Sequence, residues 1–361
     1  MKMNLFGLGF GAAFLASAIS MDAATITAAS PLVQVEGRSV STPRESLKLS
    51  YPGVTLHLHV RGSSLALRSA KAAEDADFDV LVDGVKTARI KLPQTLGDTT
   101  LFEGLADTEH EVELVHCTES YNGSCEIDSF TTSGEFLPPR ALPSRRLLFI
   151  GDSFTCGAAA EVRPGEAVNP SKTARQNARL SYGWLMSRQL SGQVQIVAYA
   201  GRGLLRDWQG LKTASSLPEL YEYALPDDPS AKWSPPDYVP DAIGVCVGND
   251  FDIGLPDQVD FVTAYAEFVR KLRHDAPEAT IVLILSPILT DAPSGMPQRT
   301  VLHAYLDEVV KRVGDPRVMV ADVGAYPVVP GDGHPDGFAH ETIAKKLEPI
   351  FRQALESPKP K

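Results

Sequence analysis

An apolar run that ends in glycine, aspartate and serine lies near the middle of the chain, where residues 147–157 read LLFIGDSFTCG. Four apolar residues followed by a turn signal are typical of a strand that is buried on both faces of a parallel sheet. Open parallel sheets bind ligands beyond the carboxyl ends of their strands, which is where this spacing puts Ser153. An Asp-Ser pair is also a common helix cap. The stretch predicts a buried strand and leaves open whether Ser153 reacts or merely caps a helix.

Downstream of this stretch, short apolar runs alternate with amphipathic ones. The apolar runs predict strands at 147–150, 194–199, 242–247, 280–285 and 318–323. The amphipathic runs predict helices at 178–190, 218–223, 259–274, 301–313 and 340–354. Strands that alternate with helices in this way indicate an α/β domain with a parallel sheet covered on both faces.

Upstream, the hydrophobic pattern has a period of two, as in residues 54–60. Further short strands are predicted at 65–67, 78–82, 88–92 and 112–115, with turns at 61–62, 83–84 and 97–98. This spacing favours an all-β sandwich of the jelly-roll kind. His57 and His59 share one strand face, and without a convincing third ligand nearby we expect them to be solvated polar residues.

The chain divides at two places. Lys2 and the apolar run 5–19, followed by Ala23 and Ala24, predict a signal peptide over residues 1–24 and hence a secreted or periplasmic protein. A proline-rich break at 137–144 separates a β-sandwich domain, residues 25–140, from an α/β domain, residues 141–361.

Composition excludes several classes of partner. The formal net charge of -11 and the absence of a basic cluster argue against nucleic acid and against a membrane surface. No Cys or His spacing suits a metal, so we expect no metal and no cofactor. Cys117 and Cys125 flank a tight-turn signal, and a disulfide between them would stabilise the fold by roughly 2.5 kcal/mol. Cys156 and Cys246 are expected in the core. Oligomeric state is left open.

Three later segments offer partners for Ser153. Gly201 follows a predicted strand, where its N–H could either close a turn or stabilise an oxyanion. Asn249 follows the next strand, either as a turn former or as a donor. His334 lies near Asp332 in the loop before the last helix, and a serine nucleophile needs such a base and acid. His340 is expected to be structural.

Taken in order, these motifs carry a resemblance. Gly-Asp-Ser at 151–153, the glycine loop at 201–203, Gly-Asn-Asp at 248–250 and Asp-x-His-Pro at 332–335 resemble the SGNH/GDSL hydrolase superfamily. With the all-β N-terminal region, the chain resembles carbohydrate esterase family 2 more closely. The resemblance implies a jelly-roll domain followed by a three-layer α/β/α hydrolase domain. It also implies removal of acetyl groups from polysaccharides such as xylan or glucomannan, without a cofactor.

The resemblance assigns roles to the site residues. Ser153 would be the nucleophile and His334 the general base. The oxyanion hole would consist of the backbone N–H groups of Ser153 and Gly201 and the side-chain amide of Asn249. Asp332 would orient His334, although in some relatives a backbone carbonyl does so and leaves a Ser-His dyad.

Two positions depart from the relatives' pattern. Superfamily members commonly carry the acid three residues before the histidine, where this chain has Gly331. Family 2 members often have a tryptophan between the acid and the histidine, where this chain has Gly333. Trp208, which follows the glycine loop, could replace it as a sugar platform, or it could pack in the core.

Two other functions fit the same motifs. One is a lipase or thioesterase of the same superfamily, although no long apolar lid segment is visible. The other is a carbohydrate-binding protein with an inert hydrolase domain. For the esterase, we expect activity to fall below about pH 6, as His334 becomes protonated.

Overall fold

The structure, a computed structural model, describes residues 23–291 and 295–356. Apart from its last two positions, the predicted signal peptide lies outside the described residues. Within the described ranges, no helix is long and apolar enough to cross a membrane.

The N-terminal half is an antiparallel β-domain. Its described strands are β1 (Ala24–Thr27), β2 (Val33–Glu36), β3 (Val40–Ser41), β4 (Leu47–Leu49), β5 (Thr55–Ala72), β6 (Asp77–Val82), β7 (Val85–Lys91), β8 (Gly97–His116), β9 (Cys125–Thr132) and β10 (Glu135–Leu137). The main strand order is β3-β4-β9-β5-β8-β6-β7, with β1 paired to β9 and with β2 and β10 paired to β5. The predicted all-β domain is confirmed.

Two of the predicted turns are wrong. Residues 61–62 lie inside the long strand β5, where the pairing with β8 shifts register between Gly62 and Ser64. Gly62 has a φ of +154° and marks this irregularity rather than a chain reversal. Residues 97–98 begin β8, so the turn that precedes them ends earlier than predicted.

The C-terminal half contains a five-stranded parallel sheet with the order β12-β11-β13-β14-β15. The strands are β11 (Arg145–Gly151), β12 (Gly192–Ala198), β13 (Ala242–Cys246), β14 (Thr280–Ile284) and β15 (Val318–Ala321). The helices are α1 (Ser153–Cys156), α2 (Lys172–Arg175), α3 (Tyr182–Gln189), α4 (Leu217–Tyr221), α5 (Gln258–Asp275), α6 (Gln298–Val313) and α7 (Gly337–Glu356). The predicted α/β fold class is confirmed.

All five predicted strands and all five predicted helices of this half are present, with shifted ends. The largest shift is in α3, which begins at Tyr182 and not at position 178. Ser181 caps this helix, because its side chain accepts a hydrogen bond from the Trp184 N–H, and a separate short 3-10 turn precedes it.

The two halves are joined through polar contacts as well as apolar packing. Arg38 of the β-domain is 1% exposed and donates hydrogen bonds to the backbone oxygens of Tyr221 and Tyr223. Its guanidinium also lies 4.6 Å from the centre of the Trp233 ring. A buried cation held in this way fixes the β-domain against the hydrolase half. The boundary at position 140 itself stays a prediction.

The predicted cysteine clamp is wrong. All four cysteines are free and buried. The Cys117 thiol lies 3.4 Å from the oxygen of Val115, whereas the Cys125 thiol lies 3.8 Å from that of Leu49, so the two side chains contact different strands.

The expectation for the histidine pair in β5 is also wrong. Both side chains are mostly buried and are hydrogen-bonded within the protein: His57 Nε2 lies 3.0 Å from a carboxylate oxygen of Glu36, and His59 Nδ1 lies 3.0 Å from the oxygen of Pro138. His340 is structural, as expected. It is buried in α7, and its Nδ1 accepts a hydrogen bond from the Tyr182 N–H.

Candidate active site

The site lies at the carboxyl edge of the parallel sheet. The loops that follow β11, β12 and β13 are neighbours there, because β11 pairs with both β12 and β13. This is the point where the strand order reverses, and open α/β sheets leave a crevice at such a point. Ser153, Gly201 and Asn249 are carried by these three loops and line one cavity.

A serine, a histidine and an aspartate form a continuous hydrogen-bonded chain in this cavity. Ser153 Oγ lies 2.7 Å from His334 Nε2, although the two residues are 181 positions apart. His334 Nδ1 lies 2.7 Å from Asp332 Oδ1. A carboxylate can only accept, so Nδ1 carries the proton and Nε2 is free to accept the Ser153 proton.

Arg175 holds the carboxylate from the other side. Its Nε donates to Asp332 Oδ2 at 2.6 Å, and its Nη1 donates to the oxygen of Asn169 at 2.6 Å. Burial raises the pKa of Asp332, but the hydrogen bonds and charges of His334 and Arg175 outweigh it and hold this pKa below its usual range. Asp332 is therefore an anion at neutral pH. Arg175 was not identified in the sequence, because it lies 157 residues from Asp332 and has no motif of its own.

The histidine is held as a stronger base than usual. Burial lowers the pKa of His334, but the hydrogen bond to Asp332 and the negative charge of that carboxylate outweigh the effect of burial. The net shift is upward from 6.5. The acid limit of any reaction that needs neutral His334 is thus expected above pH 6.5.

Asp152 caps helix α1 and also links two loops of the site. Its Oδ1 accepts from the Phe154 N–H at 3.1 Å and so caps α1, while its Oδ2 accepts from the Gly248 N–H at 2.9 Å. Burial raises its pKa to about 6, although these two N–H groups oppose the shift. The capping role that the sequence left open thus belongs to Asp152, while the Ser153 hydroxyl faces His334. The hydrogen bond from the Gly248 N–H to Asp152 connects the loop after β11 to the loop after β13.

Two residues that line the cavity have backbone N–H groups without a protein acceptor among the described residues. Within the described part of the chain, the N–H groups of Ser153 and Gly201 donate to no other protein group. Gly201 has a φ of +74°, and a Cβ on it would lie 2.6 Å from Trp208 Cδ1. Only glycine combines this backbone conformation with such close contact to the indole.

The amide of Asn249 is partly engaged. One of its Nδ2 hydrogens donates to Asp252 Oδ2 at 2.8 Å, while Oδ1 is buried without a partner. The second hydrogen of Nδ2 remains for a ligand in the cavity that the side chain lines. Asn249 thus lies with Ser153 and Gly201, as the sequence predicted.

Asp250 holds the glycine loop in shape. Its carboxylate is fully buried and accepts from the backbone N–H groups of Leu204, Leu205 and Arg206, at 2.7, 2.8 and 3.1 Å. Three donors on one carboxylate fix the chain just after Gly201. The Gly-Asn-Asp motif contained this residue, but its partners are defined only by the folded loop.

The cavity is open and mixed in character, with a volume of about 710 Å³. Such a volume is typical of small-molecule sites. Trp208 lines it and is 55% exposed, so the core-packing alternative for this residue is wrong. Glu119 and Tyr121 of the β-domain line it too, so both halves of the chain build the site. No group of three or more His, Cys, Asp or Glu side chains among the described residues is arranged to hold a metal ion.

Comparisons with known proteins agree with this architecture. Residues 35–139 match the family model of the carbohydrate esterase 2 N-terminal domain, and residues 149–343 match that of the GDSL-like lipase/acylhydrolase family. An acetylxylan esterase/glucomannan deacetylase of Cellvibrio japonicus (strain Ueda107) is 36% identical over 335 residues, which cover 92% of this chain and 91% of that protein.

Solved structures of carbohydrate esterases are also similar to this chain. A family two carbohydrate esterase from Cellvibrio japonicus has a TM-score of 0.87 at 35% identity, with 93% of this chain and 98% of that chain covered. A family two carbohydrate esterase from Clostridium thermocellum, solved in complex with cellohexaose, has a TM-score of 0.81 at 25% identity, with 90% and 99% covered.

The parallel sheet and the match to the acylhydrolase family define the class of protein, which is a carboxylic ester hydrolase. The β-domain narrows the class further. The chain belongs to carbohydrate esterase family 2. The predictions of the family and of an ester hydrolase are confirmed.

Proposed function

We propose that the protein is an exported esterase that removes acetyl groups from xylan, glucomannan or their oligosaccharides through an acyl-enzyme. The observation that carries this proposal is the 2.7 Å contact between Ser153 Oγ and His334 Nε2 in an open cavity with an exposed tryptophan. The names of the relatives supply the substrate class, since one is called an acetylxylan esterase/glucomannan deacetylase.

In the first half of the reaction, Ser153 Oγ attacks the acetyl carbonyl carbon and His334 Nε2 takes the hydroxyl proton. The carbonyl oxygen becomes an oxyanion and accepts hydrogen bonds from the N–H groups of Ser153 and Gly201 and from the Asn249 amide. Removal of one such donor costs roughly 3 kcal/mol of transition-state stabilisation. Asp332 stabilises the imidazolium and is itself kept anionic by Arg175.

Collapse of the tetrahedral adduct breaks the bond between the acetyl carbon and the sugar oxygen. His334 gives its proton to that oxygen, and the sugar leaves with a free hydroxyl. The same histidine then takes a proton from a water molecule, whose oxygen attacks the acetyl-serine. Collapse of this second adduct breaks the bond between the acetyl carbon and Ser153 Oγ, which takes the proton back from His334 as acetate leaves. Asp332, which orients His334, and Arg175, which holds Asp332, therefore serve both halves of the reaction.

The surroundings of the serine support a carbohydrate as the alcohol. Trp208 is exposed beside Gly201, and aromatic faces with a polar edge suit the flat faces of sugar rings. Export would bring the enzyme to polysaccharides outside the cell. It is proposed from the N-terminal sequence pattern alone.

The experiment compares the wild type with Ser153→Ala on two substrate sets. The first set holds acetyl, butyryl and octanoyl aryl esters, and the second holds acetylated xylan and acetylated glucomannan. We expect the wild type to release acetate from the polysaccharides and to prefer the acetyl ester. In Ser153→Ala, kcat should fall by more than about 10⁴-fold.

Other outcomes would identify the alternatives. A preference for octanoyl over acetyl esters would indicate a lipase or thioesterase. Binding of polysaccharide without acetate release by the wild type would indicate a non-catalytic binding protein.

A further inference from the structure

A carboxyl group from the β-domain lies in the catalytic cavity and has no part in the mechanism above. Glu119 follows β8 and lines the cavity together with Ser153 and His334. Its side chain is buried, with the residue only 3% exposed, and its Oε2 has no hydrogen-bond partner. The ion pairs of Arg175 and of His334 in this region are made with Asp332, not with Glu119. A buried polar atom without a partner costs roughly 1–3 kcal/mol, so this group requires an explanation.

The position of Glu119 is fixed by the hydrolase half. Its backbone N–H donates to Gln176 Oε1 at 3.2 Å. The neighbouring Ser120 donates its hydroxyl to the oxygen of Ala198 at 3.1 Å, and Gln176 Nε2 donates to the Tyr121 hydroxyl at 2.8 Å. Ala198 is the last residue of β12, the strand that leads into the glycine loop. The backbone at Glu119 is therefore anchored to the strand that leads into the glycine loop.

The charge state of this carboxyl follows from its surroundings. Burial raises the pKa of Glu119 to about 8. The positive charge of His334 opposes this shift, while the negative charges of Asp332 and Asp152 add to it, and the exposed Lys172 opposes it weakly. At neutral pH the group is thus mostly a carboxylic acid, which can donate one hydrogen bond and accept others. A sugar hydroxyl also donates and accepts, so it is a matching partner.

The mechanism indicates which half of the ester lies next to His334. His334 must deliver its proton to the leaving alcohol oxygen, so the alcohol lies beside its ring. Glu119 lines the same cavity as this histidine. The carboxyl is therefore in the cavity that receives the alcohol half of the substrate, that is, the sugar.

We infer that Glu119 is a substrate-binding residue that holds a hydroxyl of the sugar carrying the ester. This inference deepens the proposed function and rests on it for the identity of the alcohol. It assigns part of the substrate selectivity to the β-domain, which supplies the carboxyl group. A simple aryl ester has no hydroxyl to offer and gains nothing from this contact.

The first test is a specificity ratio. It divides kcat/KM for acetylated glucomannan oligosaccharides by kcat/KM for 4-nitrophenyl acetate. Glu119→Leu removes the hydrogen bond at similar volume and should lower this ratio about tenfold. Glu119→Gln keeps a neutral donor and acceptor and should hold the ratio within about threefold of the wild-type value. Glu103→Leu, the same change at an exposed position of β8 that does not line the cavity, is the matched control and should leave the ratio at the wild-type value.

The second test separates this inference from the proposed function. In a Ser153→Ala background without turnover, the Kd for the same oligosaccharides is measured by calorimetry with and without Glu119→Leu. We expect the added change to raise Kd about tenfold. An unchanged ratio and an unchanged Kd in Glu119→Leu would overturn the inference, as would an equal fall of the ratio in Glu103→Leu. Failure of the wild type to release acetate from these sugars would instead overturn the proposed function, while the Kd comparison still decides the role of Glu119.

Discussion

Replacement of Asp332 by asparagine tests whether the chain uses a triad or a dyad. The structure shows both carboxylate oxygens in use, Oδ1 at 2.7 Å from His334 Nδ1 and Oδ2 at 2.6 Å from Arg175 Nε. Asn has one acceptor and one donor in place of two acceptors. Because Arg175 can only donate, the amide oxygen turns towards it and the amide nitrogen turns towards His334.

The expected loss follows from this geometry. An amide N–H that donates to Nδ1 of His334 puts the ring proton on Nε2, so the ring can no longer accept the proton of Ser153. The opposite rotamer points the amide nitrogen at Arg175 and leaves buried donors facing each other, at a cost of roughly 1–3 kcal/mol. The imidazolium of the transition state also loses its anion. Together these effects should lower kcat about 10⁴-fold, the equivalent of roughly 5.4 kcal/mol.

The assay is kcat for 4-nitrophenyl acetate at pH 7.5, with thermal unfolding measured on the same samples. Asp336→Asn is a matched control, because Asp336 lies in the same loop and its carboxylate only accepts from the Ala339 N–H at the start of α7. This control should keep kcat within about threefold and leave Tm nearly unchanged, because asparagine caps a helix about as well as aspartate. A loss of less than tenfold in Asp332→Asn would refute the reasoning and favour a Ser-His dyad oriented by other means.

Three further predictions follow from the site and from the core. On the acid side, kcat/KM should fall with a midpoint above pH 6.5, because the pKa of His334 is raised and its protonated ring cannot accept the serine proton. A midpoint below pH 6 would contradict the role of His334 as the general base. Gly201→Ala should lower kcat on 4-nitrophenyl acetate about 10²-fold, since a Cβ would strain a backbone at φ +74° and contact Trp208; a variant within threefold of the wild type would exclude Gly201 as an oxyanion donor. A reducing agent should leave Tm unchanged within about 1 °C, because Cys117 and Cys125 are free. A fall of several degrees on reduction would instead indicate a disulfide between them.

The order of strands and helices in the hydrolase half could be read directly from the sequence. Buried parallel strands are short continuous apolar runs, as in Leu147–Ile150, and surface helices show a regular apolar stripe, so each carries a local signal. The ends were less accurate, because caps such as Ser181 act through one hydrogen bond that the hydrophobic pattern does not record. In the β-domain, Gly62 looked like a turn but lies inside β5, because a bulge and a turn use similar residues.

Within the candidate site, the sequence identifies the motif residues and Asp332, but not Arg175, which supports Asp332. Ser153, Gly201, Asn249 and His334 each follow a strand or precede a helix, and such positions can be recognised one at a time. Arg175 could not be found in this way. A buried arginine is stabilised by the carboxylate with which it pairs, and the residues next to Arg175 in the sequence do not indicate that its partner is Asp332.

The sequence by itself determined the two kinds of domain, the strand that presents the serine, and the family, because local hydrophobic periods and short ordered motifs carry that information. Only the tertiary structure decided that the thiols of Cys117 and Cys125 stay apart, that Arg175 supports Asp332, and that Glu119 of the β-domain enters the cavity. Each of these contacts joins residues from different parts of the chain. Their existence depends on how layers pack, since distance and burial are properties of the folded molecule and are not encoded in any single window of residues.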